Sequence, residues 1–149
     1  MRALSRRAAL TLGLGTAAAF AGADRSRATP SEADEAIAKF TTGKPAEAGR
    51  IAIDLPEIAE NGTAVPLTVT VESPMSASDR ITDVLVVADG NPNPRVATFH
   101  FTTMSGRAEV ATRIRLNATE NVIVVARTGD GRFLTARKEV KVTIGGCGG

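Results

Sequence analysis

The C-terminal stretch VTIGGCGG, residues 142–149, contains the only cysteine of the 149-residue chain, Cys147. A cysteine thiol can attack a substrate and hold it covalently, provided that it reacts as the thiolate. The glycines around it have no side chains to pack and the widest backbone freedom, so residues 145–149 are predicted to form a flexible, exposed arm. These glycines are Gly145, Gly146, Gly148 and Gly149. We interpret Cys147 as a functional thiol rather than an incidental residue of a frayed end.

The residues next to Cys147 in the sequence offer its thiol little activation. An unperturbed cysteine has a pKa of ~8.5, so only a few per cent is thiolate at neutral pH. The arm contains no Arg or His, and the terminal carboxylate two residues on opposes a negative thiolate. We therefore expect activation to come from a partner's pocket. Prenylation requires three residues after the cysteine and an intrachain disulfide requires a second cysteine, so the sequence excludes both.

Other side chains that could bind a metal are interpreted as ordinary structural residues. His100 is the only histidine, and its FHF context predicts an outward side chain opposite Phe99 and Phe101. It has no partner set for a metal, and two methionines, Met75 and Met104, do not make a copper site without His or Cys nearby.

Two arginines form a basic stripe, and the rest of the chain shows no catalytic pattern. Arg113 and Arg115 lie on one strand face, which is either solvated or directed at a partner. The sequence contains no Ser-His-Asp arrangement, phosphate loop or paired carboxylates above chance. We therefore predict no catalytic, cofactor-binding or metal-ligating residues, and a protein that is not a self-sufficient enzyme.

Residues 1–23 have the form of an export signal, with a basic start, an apolar stretch from 8 to 21 and small residues at the predicted cleavage point. The arginine pair in SRRAAL indicates the twin-arginine route, although Ala9 and Thr11 depart from its usual motif. The sequence therefore predicts a protein that is exported from the cytoplasm. An unpaired cysteine is unusual in the oxidising compartments outside the cytoplasm, which strengthens the functional interpretation of Cys147.

Charge and composition exclude two classes of partner. The net charge of +2 includes three arginines of the signal, so the chain without residues 1–23 has a net charge of −1. This balance gives no support to a nucleic-acid partner, or to a membrane partner once the signal is removed. Aromatic residues make up 3% of the chain, with no Trp or Tyr, which also argues against stacking of bases.

The helix and strands that must position the arm are predicted from the periodicity of apolar residues and from turn and cap signals. Residues 24–49 are predicted to be a linker with one short helix over 30–42. Thr29 and Glu32 fit a capping box, Pro30 takes the first helical position, and Gly43 is a stop signal.

Residues 50–144 alternate with a period of two and are predicted to form a β-sandwich domain. Seven segments read as strands: RIAIDL, VPLTVTVE, ITDVLVVAD, RVATFHF, AEVATRIRL, NVIVVART and KEVKVTI. Turn signals separate them, including Asn61-Gly62 and the stretch DGNPNP. The predicted fold class is all-β: an immunoglobulin-like antiparallel sandwich of about seven strands, with one short N-terminal helix and a flexible C-terminal arm.

The chain resembles the SoxY family, the sulfur carriers of the thiosulfate-oxidising Sox system. The resemblance covers nearly the whole chain and rests on DLPEIAENGTAVPLTVTVESPM, NPNPRVATFHF, ATRIRLNATENVIVVA and above all VKVTIGGCGG. It implies that the tail cysteine, Cys147 here, covalently holds sulfur intermediates in the periplasm.

The resemblance also implies partners. The family works as a heterodimer with a second small sandwich, SoxZ, which has no export signal of its own. Its transient partners are the c-type cytochrome SoxAX, the manganese hydrolase SoxB and, in some systems, a molybdenum-haem sulfane dehydrogenase.

Two other functions remain open at this point. The first is an exported interaction or adhesion module whose tail has no role. The second is a ubiquitin-like sulfur carrier, which uses a terminal Gly-Gly as a thiocarboxylate, since the chain ends in Gly148-Gly149. The export signal and the strand-only body oppose the second, because those carriers have a helix-containing β-grasp fold.

Overall fold

The computed structural model describes residues 31–146, so the predicted export signal and residues 147–149, including Cys147, lie outside the described residues. The described chain folds into one α-helix and nine β-strands. They are α1 Glu32–Thr41, β1 Ala46–Ala48, β2 Ile51–Asp54, β3 Ile58–Asn61, β4 Val65–Val71, β5 Ile81–Ala88, β6 Arg95–His100, β7 Ala108–Ile114, β8 Glu120–Thr128 and β9 Phe133–Ile144.

The strands form two packed sheets. The larger sheet has the order β1-β9-β8-β5-β6, with β3 paired alongside β9 as well, and the smaller has the order β2-β4-β7. The all-β sandwich with one short helix is therefore confirmed, and each of the seven predicted strands is present. Within the described chain, each strand of the smaller sheet pairs only with strands that are not its neighbours in sequence.

Two short strands, β1 and β3, were not predicted, and both pair in parallel with β9. The sandwich is thus not purely antiparallel. β1 meets the beginning of β9 and β3 meets its end, so one edge of the 12-residue strand β9 is covered near both ends. Covering of this kind protects backbone groups that an edge strand would otherwise leave unpaired.

The main core lies between the sheets and consists of aliphatic side chains. In β4 the alternation predicted from the sequence is observed, because every second side chain is buried. The buried side chains are Val65, Leu67, Val69 and Val71. The central strands β5 and β8 are buried on both faces, which is why their sequences read as continuous apolar runs rather than as an alternation.

The helix begins two residues later than predicted. Ser31 is the N-cap, and its Oγ accepts a hydrogen bond from the Asp34 N–H at 3.2 Å. Thr29 and Pro30, the predicted cap and first helical residue, lie outside the described residues. The serine fulfils the same physical role of satisfying a free N–H in the first turn.

The helix ends as predicted and covers the outer face of the larger sheet. The Gly43 N–H donates to the carbonyl of Ala38 at 3.0 Å, which closes the last turn. The Arg127 guanidinium carbon lies 5.4 Å from the Phe40 ring centroid and 5.5 Å from that of Phe133. This stacking, together with a smaller apolar cluster beneath it, fixes the helix on the sheet.

Among residues 31–146, no helix combines the length and the apolar character that crossing a membrane would require.

Candidate functional site

The segment that leads to Cys147 is described as far as Gly146. It continues from the end of β9, the longest strand of the larger sheet, so β9 leads directly into the segment that precedes Cys147. Cys147, Gly148 and Gly149 lie outside the described residues. The part of the candidate site with known geometry is therefore the surface that immediately precedes them.

Three backbone hydrogen bonds join three distant segments at this surface. The Gly62 N–H donates to the Ile144 carbonyl at 2.8 Å, and the Leu116 N–H donates to the Gly62 carbonyl at 2.8 Å. The Gly146 N–H in turn donates to the Leu116 carbonyl at 2.9 Å. We call the residues Gly62, Leu116, Gly145 and Gly146 the glycine corner. Gly146 is buried there.

Close backbone approach explains why glycines occupy the corner. A Cβ atom built on Gly145 would lie 2.0 Å from the Asn117 carbonyl oxygen, and one built on Gly62 would lie 2.1 Å from the Leu116 carbonyl oxygen. A Cβ on Gly146 would lie 2.7 Å from Cγ of Arg115. None of these distances is acceptable for a real side chain without a shift of the neighbouring atoms.

Gly145 and Gly146 belong to the predicted flexible arm, and that flexibility stays a prediction. The structure packs both against the body and hydrogen-bonds Gly146 to it. Their lack of a side chain permits this close contact. The prediction of flexibility for Gly148 and Gly149 is not tested, since they lie outside the described residues.

The loop that receives Gly146 is itself held by the side chains of Asn91 and the buried Glu120. The Asn117 N–H donates to Oδ1 of Asn91 and to Oε1 of Glu120, both at 2.9 Å. Glu120 is only 5% exposed, and its other carboxylate oxygen accepts from the Gly90 N–H at 2.7 Å. A buried carboxylate that accepts hydrogen bonds from several N–H groups is well satisfied. This network therefore holds the loop beside the glycine corner in place.

Sequence reasoning did not find Gly62, Asn91 or Glu120 as parts of the site. Two of them were visible only as turn signals, in Asn61-Gly62 and DGNPNP. Nothing in a one-dimensional pattern indicates that these turns meet each other and the C-terminal glycines, because the contacts are set by how the sheets pack.

The basic stripe lies beside the corner. Arg113 and Arg115 are both exposed, and the Arg115 side chain contacts Gly146. The Arg115 carbonyl accepts from Nδ2 of Asn91 at 2.8 Å, which holds its backbone in place. The Arg115 side chain therefore lies beside Gly146, the last described residue, although the two are 31 residues apart in sequence.

His100 has the structural environment that the sequence predicts. Its ring is exposed, and its Nδ1 lies 2.5 Å from Oδ1 of Asp83, which also has Oδ2 3.7 Å from Nη1 of Arg127. Phe99 and Phe101 pack against the core between the sheets. His100 thus belongs to a surface charge network on the larger sheet.

The two methionines occupy unrelated environments. Met75 packs against the core between the sheets and its sulfur accepts from the Ile81 N–H at 3.5 Å. Met104 is 91% exposed. Within residues 31–146 no group of three or more His, Cys, Asp or Glu side chains could hold a metal ion.

Comparison with known proteins points to one family. The model of the family described as sulfur oxidation protein SoxY matches residues 37–147. The solved structure of the sulfur carrier protein SoxY from Chlorobium limicola f. thiosulfatophilum is 39% identical. The alignment covers 74% of this chain and 96% of that chain, with a TM-score of 0.61. Among curated proteins, none matches the chain.

The sandwich is also similar to superoxide reductases. The enzyme from Ignicoccus hospitalis (neelaredoxin) is 18% identical with a TM-score of 0.56, covering 63% of this chain and 80% of that chain. The enzyme from Nanoarchaeum equitans is 12% identical with a TM-score of 0.54, covering 64% of this chain and all of that chain. At these identities the likeness describes the fold alone.

Proposed function

Because this chain belongs to the SoxY family of sulfur oxidation proteins, we propose that it is a periplasmic carrier that holds sulfur intermediates covalently on Cys147 and presents them to separate enzymes. The observation that carries the proposal is the extent of the family match, which runs through the body of the sandwich and ends at Cys147 itself. The 39% identity to a protein described as a sulfur carrier supports it.

In the proposed chemistry, this chain forms and keeps one covalent bond, between the Cys147 sulfur and the sulfur of the substrate. In the first step the Cys147 sulfur joins the outer sulfur of thiosulfate, which releases the thiol proton and two electrons. The c-type cytochrome SoxAX accepts the electrons. Water then displaces the terminal sulfone group as sulfate in the pocket of the hydrolase SoxB, which leaves a sulfane sulfur on Cys147.

In the proposed division of labour, this chain supplies the thiol and separate enzymes carry out the reactions. A carrier needs only an accessible thiol on a stable body, whereas redox and hydrolytic chemistry belong to the enzymes that it visits. The proposed constant partner is a SoxZ subunit, with which the chain forms a heterodimer. A sulfane dehydrogenase is a further transient partner where the host has one.

Intact-mass measurement tests the carrier function. We expect protein purified from the native periplasm during growth on thiosulfate to carry sulfur-containing adducts, all located on Cys147 by peptide mapping. The matched Cys147→Ser variant should show none and should fail to support thiosulfate oxidation, because an alcohol cannot form the sulfur–sulfur bond.

Two results would overturn the proposal in favour of the other functions. An unmodified chain, together with normal thiosulfate oxidation in Cys147→Ser, would indicate an exported interaction module. A thiocarboxylate on Gly149 would indicate a carrier of the ubiquitin-like type.

A further inference from the structure

The glycine corner is the place where the two sheets are joined by backbone hydrogen bonds near the C-terminus. The β3–β9 pairing ends with Asn61 opposite Ile144, and the β4–β7 pairing begins with Val65 opposite Ile114. The hydrogen bonds of the corner begin immediately beyond both pairings and link the larger sheet to the smaller one. Gly146 is therefore attached to the β7–β8 loop at Leu116, two residues beyond the end of β7.

The three glycines of the corner differ in how strictly a side chain is excluded. At Gly145 and Gly62 the obstacle is a backbone carbonyl oxygen, at 2.0 Å and 2.1 Å, and backbone cannot move without breaking the corner. At Gly146 the nearest obstacle is the side chain of Arg115 at 2.7 Å, which can rotate, although the Gly62 carbonyl oxygen at 2.9 Å adds a second one. Alanine should thus be least tolerated at Gly145.

We infer that Gly145 and Gly146 anchor the carrier arm to the glycine corner, so that they are positioning residues and not part of the moving segment. This inference rests on the proposed carrier role of Cys147. The alpha carbon of a residue that follows Gly146 lies only ~3.8 Å from that of Gly146. An anchored Gly146 therefore keeps the thiol close to the corner.

The short reach defines the surface that every enzyme of the cycle must approach. A pocket that receives Cys147 has to come within a few residues' length of Leu116, so its rim contacts the body around the corner. The side chains exposed there include Arg115 and Ile144, the latter 66% exposed.

Amide protection tests the anchor directly, without any sulfur chemistry. In the full chain together with its copurifying partner, hydrogen exchange should show the Gly146 N–H protected to the same degree as the amides at the end of β9. Gly145→Ala should reduce that protection about tenfold, since it removes one backbone hydrogen bond. Gly106→Ala is the matched control, because a Cβ there meets nothing within 4 Å.

A second readout separates positioning from general destabilisation. The rate of Cys147 alkylation by a bulky maleimide, divided by the rate with iodoacetamide, reports how far the thiol can move from the body. This ratio should rise in Gly145→Ala and should rise less in Gly146→Ala, while Gly106→Ala leaves it unchanged. A thermal unfolding curve of each variant shows whether the body is still folded.

The anchor and the carrier role can fail independently. A Gly146 amide that exchanges as fast as an unstructured peptide in the unaltered protein would overturn the anchor, even if adducts are found on Cys147. An alkylation ratio that is the same in Gly145→Ala and in Gly106→Ala would overturn it as well. Absence of adducts, with the Gly146 amide protected, would overturn only the proposed function.

Discussion

Arg115 is the charged side chain that contacts the last described residue before the thiol. A guanidinium near a thiol favours the thiolate and lowers the thiol pKa. Arg115 and Gly146 are 31 residues apart, and the arm itself contains no cation. If Gly146 is anchored as proposed, we expect the Arg115 charge to supply part of the activation of Cys147.

We predict that Arg115→Gln slows alkylation of Cys147 by iodoacetamide about twofold at pH 7 and low salt. A unit charge at ~8 Å in a water-like medium would contribute ~0.5 kcal/mol, which corresponds to that factor. Arg115→Lys should keep most of the rate. Arg113→Gln is the matched control, because it lies two residues, about 7 Å, further along the strand.

Salt provides an independent check on Arg115. At ~1 M salt the Debye length falls to ~3 Å, so the difference between the unaltered protein and Arg115→Gln should nearly vanish. Equal rates for the two proteins at low salt would contradict the electrostatic role.

The glycines show what a sequence pattern leaves undetermined at the level of single residues. In GGCGG the composition predicts one uniform flexible arm, yet Gly145 and Gly146 are packed. Glycine is used both where the chain must move and where two backbones must touch. Only the positions of Gly62 and Leu116 distinguish the two uses, and those positions are a product of the tertiary fold.

At the level of elements, the β8–β9 turn is the clearest local electrostatic feature. Thr128 Oγ1 donates to Asp130 Oδ1, and Arg132 Nε donates to Oδ2 of the same carboxylate at 2.8 Å. These bonds, with that of Thr128 the largest cause, lower the pKa of Asp130 from 3.8 to about 2. The turn precedes β9 directly, so it fixes where the strand that leads to the arm begins.

The sign of this shift gives a pH-dependent prediction. Because the folded pKa lies below the unfolded one, Asp130 contributes stability that is complete above about pH 4 and is lost as the pH falls towards about 2. In Asp130→Asn, the loss in free energy of unfolding should therefore be largest above pH 4 and shrink below it. Urea denaturation across this pH range measures the effect.

Thr128→Val provides the comparison, since it removes the largest cause of the shift and nearly preserves the side-chain volume. Its loss in free energy of unfolding should show part of the same pH dependence as that of Asp130→Asn. A loss in Asp130→Asn that is independent of pH between 2 and 5 would contradict the assignment.

The strands illustrate which elements the sequence could predict. Long strands with a buried face, such as β4 and β8, have a pattern of their own and were predicted. β1 and β3 have three and four residues, too few for a periodic pattern. They exist because β9 offers them a parallel edge more than 80 residues away. Their formation is a tertiary event.

For the whole molecule, stability rests on a core without disulfides, because the chain has one cysteine. The cluster between the sheets contains most of the fully buried aliphatic side chains, and a smaller cluster lies under the helix. Leu67, in the centre of β4, is 1% exposed and belongs to the larger cluster.

We predict that Leu67→Ala lowers the free energy of unfolding by about 2–5 kcal/mol, because it leaves a cavity in the aliphatic core. Met104→Ala, at a side chain that is 91% exposed, should change it by less than about 0.5 kcal/mol. Urea titrations with unchanged m-values would measure both. A cost below about 1 kcal/mol for Leu67→Ala would mean that the sheets repack around the gap.

The long strand β9 has a mechanical consequence for the proposed carrier role, in which enzymes would bind the C-terminus. Along residues 133–140 it is bonded to β8, and its other edge is bonded to β1 and β3. An enzyme that tugs the C-terminus along the strand axis strains these bonds in shear, so that many must rupture together instead of opening one after another like a zipper. The sandwich should therefore tolerate repeated capture and withdrawal of its end without being peeled apart.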